Sequence, residues 1–181
     1  MDLDEFWRHI QASKADDLDE HALRLHQRLV GLPPNEILHF DHIWDTLKAE
    51  AYHWDLWGAA YLINGGCSDD GFDYFRIWLL LQGREVFQAA VREPDSLADV
   101  VDPDDDYFEH ECYPGMDAWM VATGSPGDHA GYAAFHEAIR SRYGPVRGMD
   151  EMGERWNFDD DDEVRERLPR LASKYLARQS P

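Results

Sequence analysis

The sequence predicts an all-α fold, a single irregular multi-helix domain with acidic loops, and three observations carry that prediction. Apolar residues recur at helical spacing, most cleanly in Ile37, Phe40, Trp44, Leu47 and Ala51, at i, i+3, i+7, i+10 and i+14. Residues that cap helices stand ahead of several such runs, as Asp2, Asp17, Asp55, Ser68 and Asp128 do. Nowhere does a sustained period-two alternation lie between turn residues, which a half-buried strand would require.

Taken in order, Asp2 with Glu5 makes a capping box ahead of Leu3, Phe6, Trp7 and Ile10. Asp17 and Glu20 repeat the pattern ahead of Leu18, Leu25 and Leu29, and Gly31 followed by Pro33 and Pro34 stops that helix. The Ile37 stripe comes next. Residues 52–54 are expected to bend the path, with Asp55 capping a helix whose apolar face is Leu56, Ala59, Ala60 and Ile63. Asn64, Gly65 and Gly66 tolerate the left-handed backbone that closes such a helix. Ser68 caps the next one, and Asp69 and Asp70 fall in its first turn, where carboxylates complement the helix dipole.

Phe72, Phe75 and residues 77–81 make that helix apolar almost all round, so it is expected to be buried. Gly83 interrupts it, and a short helix resumes on Val86, Phe87, Ala90 and Val91. Ser96 is placed to cap a turn through Leu97, Val100 and Val101, after which residues 102–111 show no periodicity and read as an acidic loop. Residues 113–123 read as a helix stopped by Gly124 and Pro126. Asp128 caps one that carries Tyr132, Phe135, Ile139 and Tyr143 and ends at Gly144. Residues 148–162 look irregular and acidic, with Trp156 and Phe158 anchoring them to the body, and a last helix starts about Pro169 and carries Leu171 and Tyr175.

A chain of 181 residues, 44% hydrophobic and 13% aromatic, can build a folded core. Its first ten residues lack the basic start and apolar centre of a signal peptide, and the longest apolar run, residues 77–81, is too short to cross a bilayer. Cys67 and Cys112 form neither a disulfide framework nor a CxxC knuckle, and a reducing compartment follows. The expectation is a cytoplasmic protein. The net charge of −20 is concentrated: residues 93–111 hold nine acids and no Lys or Arg, and residues 150–163 hold eight acids and one Arg. Such a surface repels nucleic acid and anionic membranes and attracts a basic protein or a cation.

No motif fixes a reaction or a cofactor. The densest group of candidate binding residues is the helix junction of residues 64–76, where Asn64, Asp69, Asp70, Asp73, Tyr74 and Arg76 surround a glycine pair, with Trp57 as a wall. Oxygen-rich clusters suit hard cations, but placing Gly71 at the invariant glycine of an EF-hand puts Gly66 and Ile77 at its first and last ligand positions. Neither offers a side-chain ligand, so no metal site is assigned. Cys67 beside a helix start invites a nucleophile reading, which the neighbouring Asp69 and Asp70 oppose. His39 and His42 have the i, i+3 spacing of a metal pair but lie beside the buried stripe, where a solvated face is the plainer reading. His110-Glu111 and His136-Glu137 fail as zinc-protease motifs, because positions 114 and 140 are Pro and Arg.

The stretch FDHIWDTLKAEAYHWDLWGAAYLINGGCSDDGFDYFRIWLLLQGREVFQAAVREPDSL, residues 40–97, resembles a bacterial family known only as domain-of-unknown-function family 4240. Its most specific part is AAYLINGGCSDDGFDYFR with the following QGREVF, and the likeness runs from Phe6 and Trp7 to about Gly124. The resemblance implies a helical domain over residues 1–125 and leaves residues 126–181 as a C-terminal helical extension packed on the same body; it imports no reaction. Two functional readings stay open. One is a soluble helical interaction or regulatory module acting through its acidic segments, with an inhibitor of a basic partner as a variant. The other is an enzyme or a small-ligand or cation-binding protein whose pocket is the junction.

Overall fold

The computed structural model describes residues 1–105, 108–146 and 152–176, and all regular structure among them is helical, with no strand. In chain order the elements are α1 (Leu3–Ser13), α2 (Leu18–Val30), α3 (Pro34–Glu50), α4 (Trp54–Asn64), α5 (Asp69–Leu81) and α6 (Arg84–Arg92). A 3-10 helix, Pro94–Asp99, follows, and then α7 (Pro114–Thr123), α8 (His129–Tyr143), α9 (Asp161–Arg167) and α10 (Pro169–Tyr175). The fold is all-α.

Most caps act as the sequence predicts. Asp2 Oδ1 accepts from Glu5 N at 2.7 Å while Asp2 N donates to Glu5 Oε2 at 3.2 Å, which completes the capping box of α1. Asp17, Ser68 and Asp128 accept from Glu20, Gly71 and Ala130 amides at the starts of α2, α5 and α8. Gly65 and Gly66 close α4 at φ of 67° and 130°, where a side chain would be strained. Three expectations change. His53 rather than Asp55 caps α4, its Nδ1 accepting from Leu56 N at 3.3 Å, and Asp55 pairs with Arg167 instead at 3.1 Å. Pro94, not Ser96, opens the turn after α6. Asp160 caps α9 by accepting from Asp162 and Glu163 amides, so part of the second acidic run is helical.

The chain forms two compact units. The first comprises Met1–Leu47 and Cys112–Arg147. Here α2 packs on α1 and α7, and α7 on α8. Phe6, Ile10, Leu25, Leu29, Ile37 and Phe40 are fully buried, and Phe6 and Phe40 meet at 4.7 Å between ring centroids. His39 and His42 both stack on Tyr143, at 5.6 Å and 4.3 Å.

The second unit comprises Lys48–Glu111 and Gly148–Pro181. Phe72, Phe75, Ile77, Leu79 and Leu80 of α5 are fully buried, as an all-round apolar helix requires. The 3-10 helix packs on α6 and α10 and carries Asp95, which is buried. The Asp95 carboxylate accepts from Arg170 N at 3.0 Å and Leu171 N at 2.9 Å, while Leu168, at the cap position of α10, makes no side-chain cap bond. A carboxylate remote in sequence thus satisfies the free amides that open α10.

Replacing Asp95 with Ala orphans those amides in a buried setting, with an expected loss of about 2–3 kcal/mol; Asp95→Asn, which keeps one acceptor oxygen, costs less. Urea denaturation followed by far-UV circular dichroism measures both. His9, His39 and His53 are each held below the ordinary 6.5, with burial the largest cause in every case. Between the lowered folded value and 6.5 the unfolded chain binds more protons, so this stability is complete above about pH 6.5 and drains away as the pH falls toward the folded value. The urea midpoint is expected to drop between about pH 7 and pH 5, and His53→Asn, which retains a capping side chain, is expected to flatten that drop.

Candidate functional site

The junction between α4 and α5 lies wholly in the second unit. Its seven candidate residues fall into two groups with different neighbours. Around Arg76 the chain builds a cation enclosure. Arg76 is 5% exposed, and its Nη1 donates to the Lys48 carbonyl at 2.8 Å and its Nε to the Phe72 carbonyl at 3.3 Å. Its Nη2 donates to Asp73 Oδ1 at 2.9 Å, while Lys48 Nζ donates to Asp73 Oδ2 at 3.0 Å. The guanidinium carbon sits 4.6 Å from the centre of the Tyr52 ring and 5.0 Å from that of Phe72.

Trp57 extends this enclosure along α4. It stacks on Phe72 at 4.9 Å and on Trp54 at 5.3 Å, and its indole N–H donates to the Cys67 carbonyl at 3.0 Å. Asp69 accepts a long 3.3 Å bond from the Tyr52 hydroxyl, and burial followed by the Asp69 charge raises the Tyr52 pKa. Asp70 is exposed in the first turn of α5, where it complements the helix dipole.

Asn64 and Tyr74 form the second group, which holds residues 108–111. Asn64, 7% exposed, accepts from Phe108 N at 3.1 Å and donates to Glu109 Oε1 at 3.2 Å. The Tyr74 carbonyl accepts from His110 N at 3.1 Å, and the Glu111 carboxylate is the first cause of a raised Tyr74 hydroxyl pKa. Phe108 meets Trp78 edge to face at 5.1 Å. Four of the residues expected to lie in an acidic loop are therefore docked on α4 and α5.

The arrangement binds its own chain well. Both Asp73 oxygens and both ends of the Asn64 amide are engaged. Lys48, Tyr52, Phe108 and Glu109 are members that sequence reasoning missed. Tyr52 and Lys48 carried a weak signal, since each lies within one helical turn of the bend before α4; nothing local marks Phe108 or Glu109. Among the described residues no three His, Cys, Asp or Glu side chains gather in a group that would hold a metal ion.

Burial, reinforced by the Glu109 charge, pushes the Cys67 thiol up to about 12. At pH 8 the thiolate fraction of such a group is about a thousandth of that of a thiol at the ordinary 9.0. Alkylation of Cys67 by iodoacetamide, followed by peptide mass spectrometry, is expected to run at least about tenfold slower in the folded protein than in urea, the higher nucleophilicity of the more basic thiolate offsetting part of its lower fraction.

Comparison with known proteins places the chain without adding a reaction. No curated protein and no solved structure matches it. A family model described as a protein of unknown function (DUF4240) matches residues 1–124, which takes in α1 to α7 and the whole junction. The chain belongs to this DUF4240 family.

Proposed function

We propose that this chain is a soluble, cytoplasmic interaction module that engages a basic protein through an acidic turn of its second unit. The observation that carries the reading is the way residues 102–105 are built. Asp102, Asp104 and Asp105 are exposed, and the turn is hydrogen-bonded: Asp104 N donates to Asp102 Oδ1 at 3.0 Å and Asp105 N to the Asp102 carbonyl at 3.0 Å. It is anchored ahead by buried Val101, whose carbonyl accepts from Lys174 Nζ at 3.0 Å. It is anchored behind by the contacts of Phe108 with Asn64 and Trp78. Charges presented on a preformed turn cost less entropy to engage than charges on a free loop.

The wider charge distribution supports the same reading. The second unit contains 24 acids against 10 Lys and Arg. A field of that sign speeds encounter with a basic surface and does so less at high salt. The two free cysteines suit a reducing compartment, and among the described residues no helix is long and apolar enough to cross a membrane. A pocket at the junction has less support, because Asp73, Asn64 and Arg76 already serve the chain itself.

The test compares three immobilised baits in lysate of the source cell: wild type, Asp102→Asn/Asp104→Asn/Asp105→Asn, and a charge-matched control, Asp16→Asn/Asp19→Asn/Glu85→Gln. Basic proteins retained by wild type at low salt are expected to be lost by the first variant and kept by the control. Equal retention by all three, or equal loss from both variants, sinks the acidic-turn reading.

A further inference from the structure

Trp54, Gly58 and Tyr61 stand at i, i+4 and i+7 of α4 and so share one face. Residues 152–159 cross that face with no helix or strand of their own. Their contacts form a series. The Met152 carbonyl accepts from Trp54 N at 2.9 Å, and the Arg155 guanidinium lies 5.2 Å from the centre of the Trp54 ring. The Trp156 ring occupies the space of a side chain at position 58, since a Cβ there would lie 2.1 Å from Trp156 Cζ2. Phe158 rests against Trp54 at 5.9 Å and Tyr61 at 5.5 Å, and Asp159 accepts from the Tyr61 hydroxyl at 2.8 Å. The segment ends in a turn at residues 158–159, with Asp160 N donating to the Asn157 carbonyl at 3.1 Å, so that both rings and the flanking Arg155 and Asp159 meet one helix face, as a short turn-forming peptide does in a groove.

Two further observations separate this from the ordinary packing of a C-terminal segment. The groove lies within the family-matched residues 1–124, while the segment that fills it lies outside them. The segment is also an imperfect occupant: Trp156 is 7% exposed, and its indole N–H is buried with no acceptor among the described residues. A buried donor left unpaired weakens the seat of the side chain that carries it.

We propose that the α4 face is a docking groove for a short turn-forming peptide of a partner protein, of the form basic–aromatic–x–aromatic–acid, and that residues 155–159 fill it in cis as a built-in competitor. The occupant favoured in trans is another protein rather than a second copy. A second copy brings the same unpaired indole and gains nothing over a segment already tethered at an effective concentration of about millimolar. A partner with a Phe at the Trp156 position carries no such donor. This surface is separate from the acidic turn, and either reading stands without the other.

The probe is a fluorescent synthetic peptide of residues 152–160, offered to the full chain. The Trp156→Ala/Phe158→Ala variant, whose groove is vacated, is expected to bind it at least about tenfold more tightly than wild type, where the groove is open only a fraction of the time. The peptide is also expected to raise the melting temperature of that variant, a readout that holds even if the variant is destabilised. Adding Gly58→Leu fills the notch and abolishes both effects, and a probe carrying Trp156→Phe binds no more weakly than the original. The proposal is overturned by failure to bind or stabilise the double variant, by undiminished binding once Gly58→Leu is added, or by weaker binding of the Trp156→Phe probe. A wild-type dimer in sedimentation equilibrium that Trp156→Ala dissolves would also overturn it, by assigning the groove to a second copy.

Discussion

A buried guanidinium beside two aromatic rings is the constraint on which the second unit turns. The helix that carries Arg76 is apolar almost all round, and taking a cation out of water costs several kcal/mol unless its donors are spent. Here they are spent on the Lys48 and Phe72 carbonyls and on Asp73, with the Tyr52 and Phe72 rings beside the guanidinium. The Lys48 carbonyl belongs to the last turn of α3, which has no helical partner for it, so one side chain meets two needs. The end of α3, the bend at residues 51–53 and α5 are thereby held in one arrangement. A lysine lacks the planar fork and cannot make these contacts together. Of the polar residues that look most like chemistry in the sequence, Asp73 is the one that lets this charge be buried.

The same economy governs the acids. A formal charge of −20 suggests a large negative surface, yet many carboxylates are already engaged. Asp95 opens α10, Asp160 opens α9, Glu109 meets the Asn64 amide and Asp159 meets the Tyr61 hydroxyl. Asp161 and Asp162 lie beside Arg165 at 2.8 Å and 3.3 Å, on an exposed helix where such pairs contribute little stability. Net charge counts all of these alike, whereas a partner meets only those that project.

Elements whose start and stop are written in adjacent residues were legible. The capping box of α1, the caps of α2, α5 and α8, the Gly65 turn and the Gly83 break each depend on groups within four residues of one another. What escaped depends on distant partners, except α9, whose cap is local. His53 is a poor cap by propensity, yet its Nδ1 accepts from the Leu56 amide, while Asp55, the better cap by type, is drawn to Arg167 over more than a hundred residues. Helix α9 was hidden because four successive aspartates read as solvated charge, and only the bond from Asp160 to the Asp162 and Glu163 amides turns the run into a helix start. The junction was correctly dense in polar residues, but its meaning lay with Lys48, Tyr52 and residues 108–111, which no local spacing joins to it.

Helix α4 differs from α5 in what it can offer a partner. Apart from its first turn and the half-buried Asp73 and Tyr74, α5 is buried, so most of its surface is already core. In α4 the small residues Gly58, Ala59 and Ala60 are buried, while Trp54, Trp57 and Tyr61 are only half-buried. Close approach of other segments is therefore inexpensive there, and the aromatic rims supply area that different sequences can cover. Holding such a face under the chain's own peptide protects it from indiscriminate contacts, because a tethered competitor at about millimolar effective concentration excludes any ligand that does not bind substantially better. Specificity then comes from the flaw in the resident segment. The orphaned Trp156 donor sets the free-energy difference that a partner can exploit, and it is exploitable only by a side chain that fills the Gly58 notch without bringing a polar atom into it.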